Sequence, residues 1–221
     1  MSLAGYDIRG IDYATAMRVV VEKHYLHRKA PCSVAFGLYR AEGAAGTHDS
    51  QLRLDGDELC GVVCYGTPSS APLRSGIAGP DHADNVIELT RLWVADDVPK
   101  NGESFLISRT VRRAGKAIVV SFADTEEGHV GTVYQAANWF YTGLSAKRTN
   151  WTVSGLNRHG QSLGDKWSAE QIRTTFGDRF ALSPRPRKHR YIWNNAKGRR
   201  RIELISQLRY RPQPYPKQAA S

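Results

Sequence analysis

Residues 86–94, Val86-Ile87-Glu88-Leu89-Thr90-Arg91-Leu92-Trp93-Val94, and residues 117–124, Ala117-Ile118-Val119-Val120-Ser121-Phe122-Ala123-Asp124, decide the fold class. The first stretch nearly alternates, as a half-buried strand does. The second is apolar almost throughout, the pattern of a strand buried on both faces. Between them Val98 to Ser104 reads as a turn, and Ile107, Val111 and Ala114 mark one face of a helix stopped by Gly115. After Asp124 the polar loop Thr125-Glu126-Glu127-Gly128 leads into Val130, Val133, Tyr134, Ala137, Phe140 and Tyr141, whose spacing predicts a second helix closed by Gly143. Strand, helix, buried strand, helix predicts an α/β fold with a locally parallel sheet.

Upstream, Tyr6 to Asp12 reads as a strand, and Met17, Val20, Val21 and His24 recur at helical spacing from Tyr13 onward. Ser33 to Tyr39 and Leu59 to Tyr65 are expected strands around an extended hairpin loop over 41–58, and 68–84 reads as a second long loop. Downstream, Lys147 to Val153 and Arg190 to Trp193 are candidate strands, Ala169 to Phe176 a short helix and Ile202 to Leu208 a final element. Pro212 to Pro216 predicts an extended or disordered end. Cys60 and Cys64, four apart in one strand, are expected to share a face as core thiols.

The chain has 221 residues, 41% apolar and 24% charged, which fits one large globular domain or a domain with an extension. No apolar run approaches the ~18 residues of a membrane span. Three cysteines are too few for a disulfide scaffold and predict a reducing cytoplasm. The net charge of +10 is unevenly placed. Residues 1–147 carry 15 Lys and Arg against 17 Asp and Glu, net −2, whereas residues 148–221 carry 16 against 4, net +12. Trp151, Trp167, Tyr191, Trp193, Tyr210 and Tyr215 are interleaved with the cations of that last third, including Arg187, Lys188, Arg190, Arg199, Arg200 and Arg201. Rings that stack on bases beside cations that neutralise phosphates point to a nucleic-acid partner.

Open α/β sheets bind ligands at the carboxyl ends of their strands, which singles out Asp124. Tyr134, a turn into the following helix, is placed to point back at the same strand end. The turn Lys100, Asn101, Gly102 and Ser104 is a candidate anion cradle at a helix start, with Ser104 as its plain N-cap in the alternative reading. His24 and Tyr25 close the first helix ahead of His27, Arg28 and Lys29.

The ordered segments Glu88 to Val94, Asn101 to Ser104 and Tyr134 to Gly143 resemble the GNAT acyltransferase superfamily. Within it, His24-Tyr25, Arg91-Leu92-Trp93, Ser104, Ser121 to Asp124 and Tyr134 resemble the phage Mu Mom family of DNA modification enzymes. The resemblance implies a mixed, mostly antiparallel sheet with a parallel pair at its splayed centre, in one domain over residues 1–221. Residues 148–221 are expected to complete the sheet and contact DNA. It implies conversion of adenine to N6-methylcarbamoyl (carbamoylmethyl) adenine in double-stranded DNA, protecting phage DNA from restriction in the host cytoplasm. His24, Tyr25, Ser104, Asp124 and Tyr134 are the implied catalytic positions, with Arg91 a further candidate. An iron is implied, for which His24, Tyr25 and Asp124 offer N and O ligands. The doubled-glycine pyrophosphate loop of GNAT enzymes is absent, so acetyl-coenzyme A is doubtful as the donor. The alternative is a GNAT N-acyltransferase acting on a protein or small amine, with an RNA-binding tail.

Overall fold

The parallel pair forms where the two diagnostic stretches predict it. In the computed structural model, which describes residues 3–41, 53, 54, 56–68, 71–155 and 167–217, these stretches become β5 (Val86–Val94) and β6 (Ile118–Asp124). The strands before them are β1 (Tyr6–Ile11), β2 (Val34–Arg40), β3 (Arg53–Leu54) and β4 (Asp57–Gly66). After them come β7 (Phe140–Leu144), β8 (Arg148–Val153), β9 (Phe180–Arg185) and β10 (Lys188–Asn194). The main sheet runs β1-β2-β4-β5-β6-β10-β7, with β3 paired to β4. All of its described pairings are antiparallel except β5 with β6. β8 and β9 form a separate antiparallel ribbon.

Among the described residues six helices flank these strands: α1 (Tyr13–Lys23), α2 (Ala71–Ala78), α3 (Gly102–Thr110), α4 (Thr132–Ala136), α5 (Ala169–Phe176) and α6 (Gly198–Ser206). Asp12 caps α1 by accepting the Thr15 N–H at 2.8 Å, and the helix buries Ala16, Met17, Val19 and Val20 against β2 and β4. Val21 faces out instead. On the opposite sheet face α3 and α4 cover a cluster that includes Phe36, Leu89, Val119, Trp139 and Tyr191. Ile77 of α2 and Leu204 of α6 pack with Ile118, Val120 and Ile192 on the same side as α1.

Several expectations are corrected. The helix predicted from Val130 through Gly143 ends at Ala136, because Asn138 turns left-handed at φ 59° and Phe140 to Leu144 pair with β10 as a strand. Gly143 lies in that strand at φ 87°, with the Gln213 side chain against it. The loop over 68–84 holds α2 and a 3₁₀ turn, Pro80–Asn85; Pro72 stands in the first turn of α2, where proline is tolerated. Residues 42–52 and 55 of the expected hairpin loop lie outside the described residues. Cys60 and Cys64 are buried in different clusters on opposite faces. Opposite Cys60 the β2–β4 register slips between Leu38 and Tyr39, and that bulge reverses the alternation. The C-terminal stretch is ordered: Gln213 N–H donates to Tyr141 O at 2.8 Å, and the Tyr215 hydroxyl to Trp139 O at 2.8 Å.

Candidate active site

β5 and β6 pair only from Val86–Ile118 to Glu88–Val120. Beyond that, β5 follows β4 and β6 follows β10, so the sheet splits. A bulge sharpens the split: Tyr65 faces Leu89 and Cys64 faces Arg91, which leaves Thr90 as an extra residue. Its hydroxyl donates to Pro31 O at 2.8 Å. The result is a cleft of about 950 Å³, within the range of small-molecule sites. It is lined from both sheet faces, by Val133 and Tyr134 on one side and Leu73 and Tyr210 on the other.

Asp124, at the end of β6, stands opposite Lys188, and the ammonium lies 2.6 Å from its carboxylate. Glu126 N–H donates to the other oxygen at 3.2 Å. Burial works to raise this pKa, but Lys188, that N–H and His129 outweigh it and hold the carboxyl below its usual range. Asp124 is therefore an anion at neutral pH.

Tyr134 rises from α4 into the cleft, 2.8 Å from Ser121 Oγ, which itself lies 3.1 Å from Leu89 O. A serine has one proton, and donated to the phenol oxygen it leaves the Tyr134 O–H to point into the cleft. Burial pushes the Tyr134 pKa up to about 12, against the opposing hydrogen bond from Ser121. It is a protonated phenol.

His24 is buried just past α1, and Leu26 N–H donates to its Nδ1 at 3.1 Å. Burial first, then Arg91, His27 and Arg28, lower its pKa to about 4, so the ring is neutral with its proton on Nε2. Tyr25 stacks on it at 4.4 Å and meets His129 edge-on at 6.3 Å, leaving an aromatic ring at the cleft mouth. Arg91 donates to Thr90 O at 2.6 Å, while among the described residues its buried Nε has no hydrogen-bond partner.

The iron expected on His24, Tyr25 and Asp124 does not fit this arrangement. The Leu26 N–H occupies the Nδ1 lone pair, which leaves Nε2 protonated, and Asp124 is neutralised by Lys188. Among the described residues no group of three or more His, Cys, Asp or Glu is placed to hold a metal.

Of the other expected site residues, Lys100, Asn101, Gly102 and Ser104 are not in the cleft wall, although Glu103 is. Asn101 is the left-handed N-cap of α3 and Ser104 its third residue, donating to Asn101 O at 3.1 Å, so Ser104 is not the N-cap. Gly102 serves packing, since a Cβ there would sit 2.6 Å from Val98. Arg187 and Arg190 are held by main-chain carbonyls. Arg199, Arg200 and Arg201 lie on α6, beyond the Asn194 end of β10. That end is roughly 20 Å from Lys188 at ~3.3 Å per strand residue. Lys188 as the partner of Asp124 is not legible in the sequence. Ser121 carried a signal, because a polar residue inside a buried run requires a partner.

A sheet split around a cleft that holds a carboxylate, a phenol and a neutral imidazole is equipped for proton transfer to and from a bound substrate. The chain belongs to the Mom protein family, whose family model matches residues 5–217. It is 30% identical over 173 residues to the methylcarbamoylase Mom of Escherichia phage Mu, covering 73% of this chain and 69% of the relative. Among solved structures it is similar to an N-acetyltransferase from Staphylococcus aureus Mu50, at TM-score 0.45 and 11% identity, covering 87% of this chain and all of that one. A GNAT family acetyltransferase from Elizabethkingia anophelis with acetyl-CoA bound matches at TM-score 0.43 and 9% identity, covering 86% of this chain and 99% of that one.

Proposed function

We propose that this chain transfers a methylcarbamoyl group to the N6 amine of adenine in double-stranded DNA, and so shields that DNA from restriction nucleases. Family membership supports the reaction, and one observation carries its assignment to this cleft: Asp124 and Tyr134 enter it from opposite sheet faces, one as an anion and one as a protonated phenol. Adenine N6 is a poor nucleophile, because its lone pair is delocalised into the ring. Asp124 accepts the N6 proton as the new N6–carbon bond forms. The bond from that carbon to its leaving group breaks in the same step, and Tyr134 protonates the departing group. Solvent in the cleft returns the proton from Asp124 to Tyr134. His24 Nε2–H is a neutral donor for a carbonyl oxygen of the transferred group.

An amine inside a duplex is out of reach of such a cleft, so the adenine must turn out of the stack, at a cost of a few kcal/mol. The exposed Tyr25 ring at the mouth offers it a stacking surface. The test is mass analysis of nucleosides from DNA of cells expressing the protein, paired with digestion of that DNA by restriction nucleases. A new adenosine species that disappears with Asp124→Ala supports the assignment. An unmodified profile in several hosts overturns it.

A further inference from the structure

The cations around the cleft differ in what already holds them. Arg187 donates to Ser145 O at 2.6 Å and to Leu144 O at 3.3 Å. Arg190 is buried, donates to Thr142 Oγ1 at 3.0 Å and Thr142 O at 2.8 Å, and lies over the Tyr210 ring at 3.4 Å. Lys188 neutralises Asp124. Arg148 and Arg185 are different. Both line the cleft, and among the described residues neither guanidinium has an ion-pair or hydrogen-bond partner.

These two arginines face each other directly at one end of the β8–β9 ladder. Like charges at paired positions are about 5 Å apart at Cβ and destabilise a ribbon. Strand alternation puts Asn150, Ser183, Thr152 and Ala181 on the same face as the arginine pair. The reverse face carries Trp151, Val153 and Phe180, which pack on Ile172 and Phe176 of α5. The ribbon is thus closed by a helix on one side and, on the other, offers small polar groups headed by two uncompensated cations at the cleft.

We infer that Arg148 and Arg185 form a phosphate clamp at the mouth of the cleft, and that the polar face of β8–β9 is the track for the DNA strand carrying the target base. This rests on the proposed DNA reaction and locates its substrate. A base turned into the cleft leaves its flanking phosphodiesters at the mouth, where two guanidiniums relieve their mutual repulsion on one anion.

The test measures affinity for a fluorescent duplex by anisotropy across a salt series. It compares the wild type, the double variant Arg148→Gln/Arg185→Gln, the charge-keeping Arg148→Lys/Arg185→Lys, and Arg109→Gln, a control on α3 outside the cleft wall. The double Gln variant is expected to lose about one from the slope of log K against log salt, at ~0.9 per phosphate. Its melting temperature should hold or rise, and the Lys pair should restore the slope. An unchanged slope beside a steep wild-type slope overturns the clamp and leaves the DNA reaction standing. An equal loss with Arg109→Gln also overturns it, as does lost binding of inorganic pyrophosphate with the duplex slope intact. A wild type that binds no duplex at low salt overturns both readings.

Discussion

Lys188 stands directly across the β6–β10 ladder from Asp124, with its ammonium 2.6 Å from the carboxylate. The two residues are 64 positions apart in the chain, and only the antiparallel register brings them together. The pairing keeps a largely buried carboxylate charged at the end of a strand whose preceding residues are apolar apart from Ser121.

Asp124→Asn is expected to remove modification activity while lowering neutral-pH stability by no more than about 1 kcal/mol, the scale of a partly exposed ion pair. The folded-state pKa of Asp124 is depressed, so its contribution to stability is present above the ordinary carboxyl pKa and is lost as pH falls through the lower folded value. Urea melts between pH 2 and 6 check this, and Lys188→Met should flatten that part of the curve.

For Tyr134→Phe the rate of single-turnover modification should fall by about 10² or more, the size of a general-acid contribution. Ser121→Ala should lower the same rate less. It should also destabilise the protein by about 1–3 kcal/mol, because a buried hydroxyl loses its partner. Rapid-quench sampling and thermal melts separate the two effects.

His24 supplies a second pH window. Its folded pKa near 4 lies below the ordinary 6.5, so between these values the unfolded chain binds more protons. Stability from this residue is complete above about 6.5 and drains away as pH falls toward 4. A ring titration followed by NMR should show a neutral imidazole at pH 6, and a midpoint near 6.5 would refute the burial argument.

The arginines of α6 give a contrasting expectation. Arg200 is already paired with Glu203 at 3.1 Å, and the helix lies at the far end of β10 from Asp124. Changing Arg199, Arg200 and Arg201 to Gln should weaken duplex binding and reduce its salt slope, yet leave the single-turnover rate at saturating DNA unchanged. Salt titrations and rate measurements on one preparation decide it.

Much of the sheet was legible because periodicity reports burial. Residues 86–94 and 169–176 form their elements with the bounds their patterns suggest, and Asp124 falls at its strand end. The Phe140 to Leu144 strand was not legible. Aromatic residues suit either period, and what decides for strand is β10, some fifty residues later. The cleft followed the same division. His24, Tyr25, Arg91, Asp124 and Tyr134 all line it, whereas Lys188, Arg148 and Arg185 take their places through ladders no local pattern encodes.

β10 separates β6 from β7 in the sheet, and β7 has no other described sheet neighbour. During synthesis, then, the ribosome releases Asp124 long before the strand that neutralises it. A nascent chain that has reached only residue 147 presents β6 as an open edge and has nowhere to seat Phe140 to Leu144. The cleft can mature only once β10 has emerged, so competence arrives late and all at once.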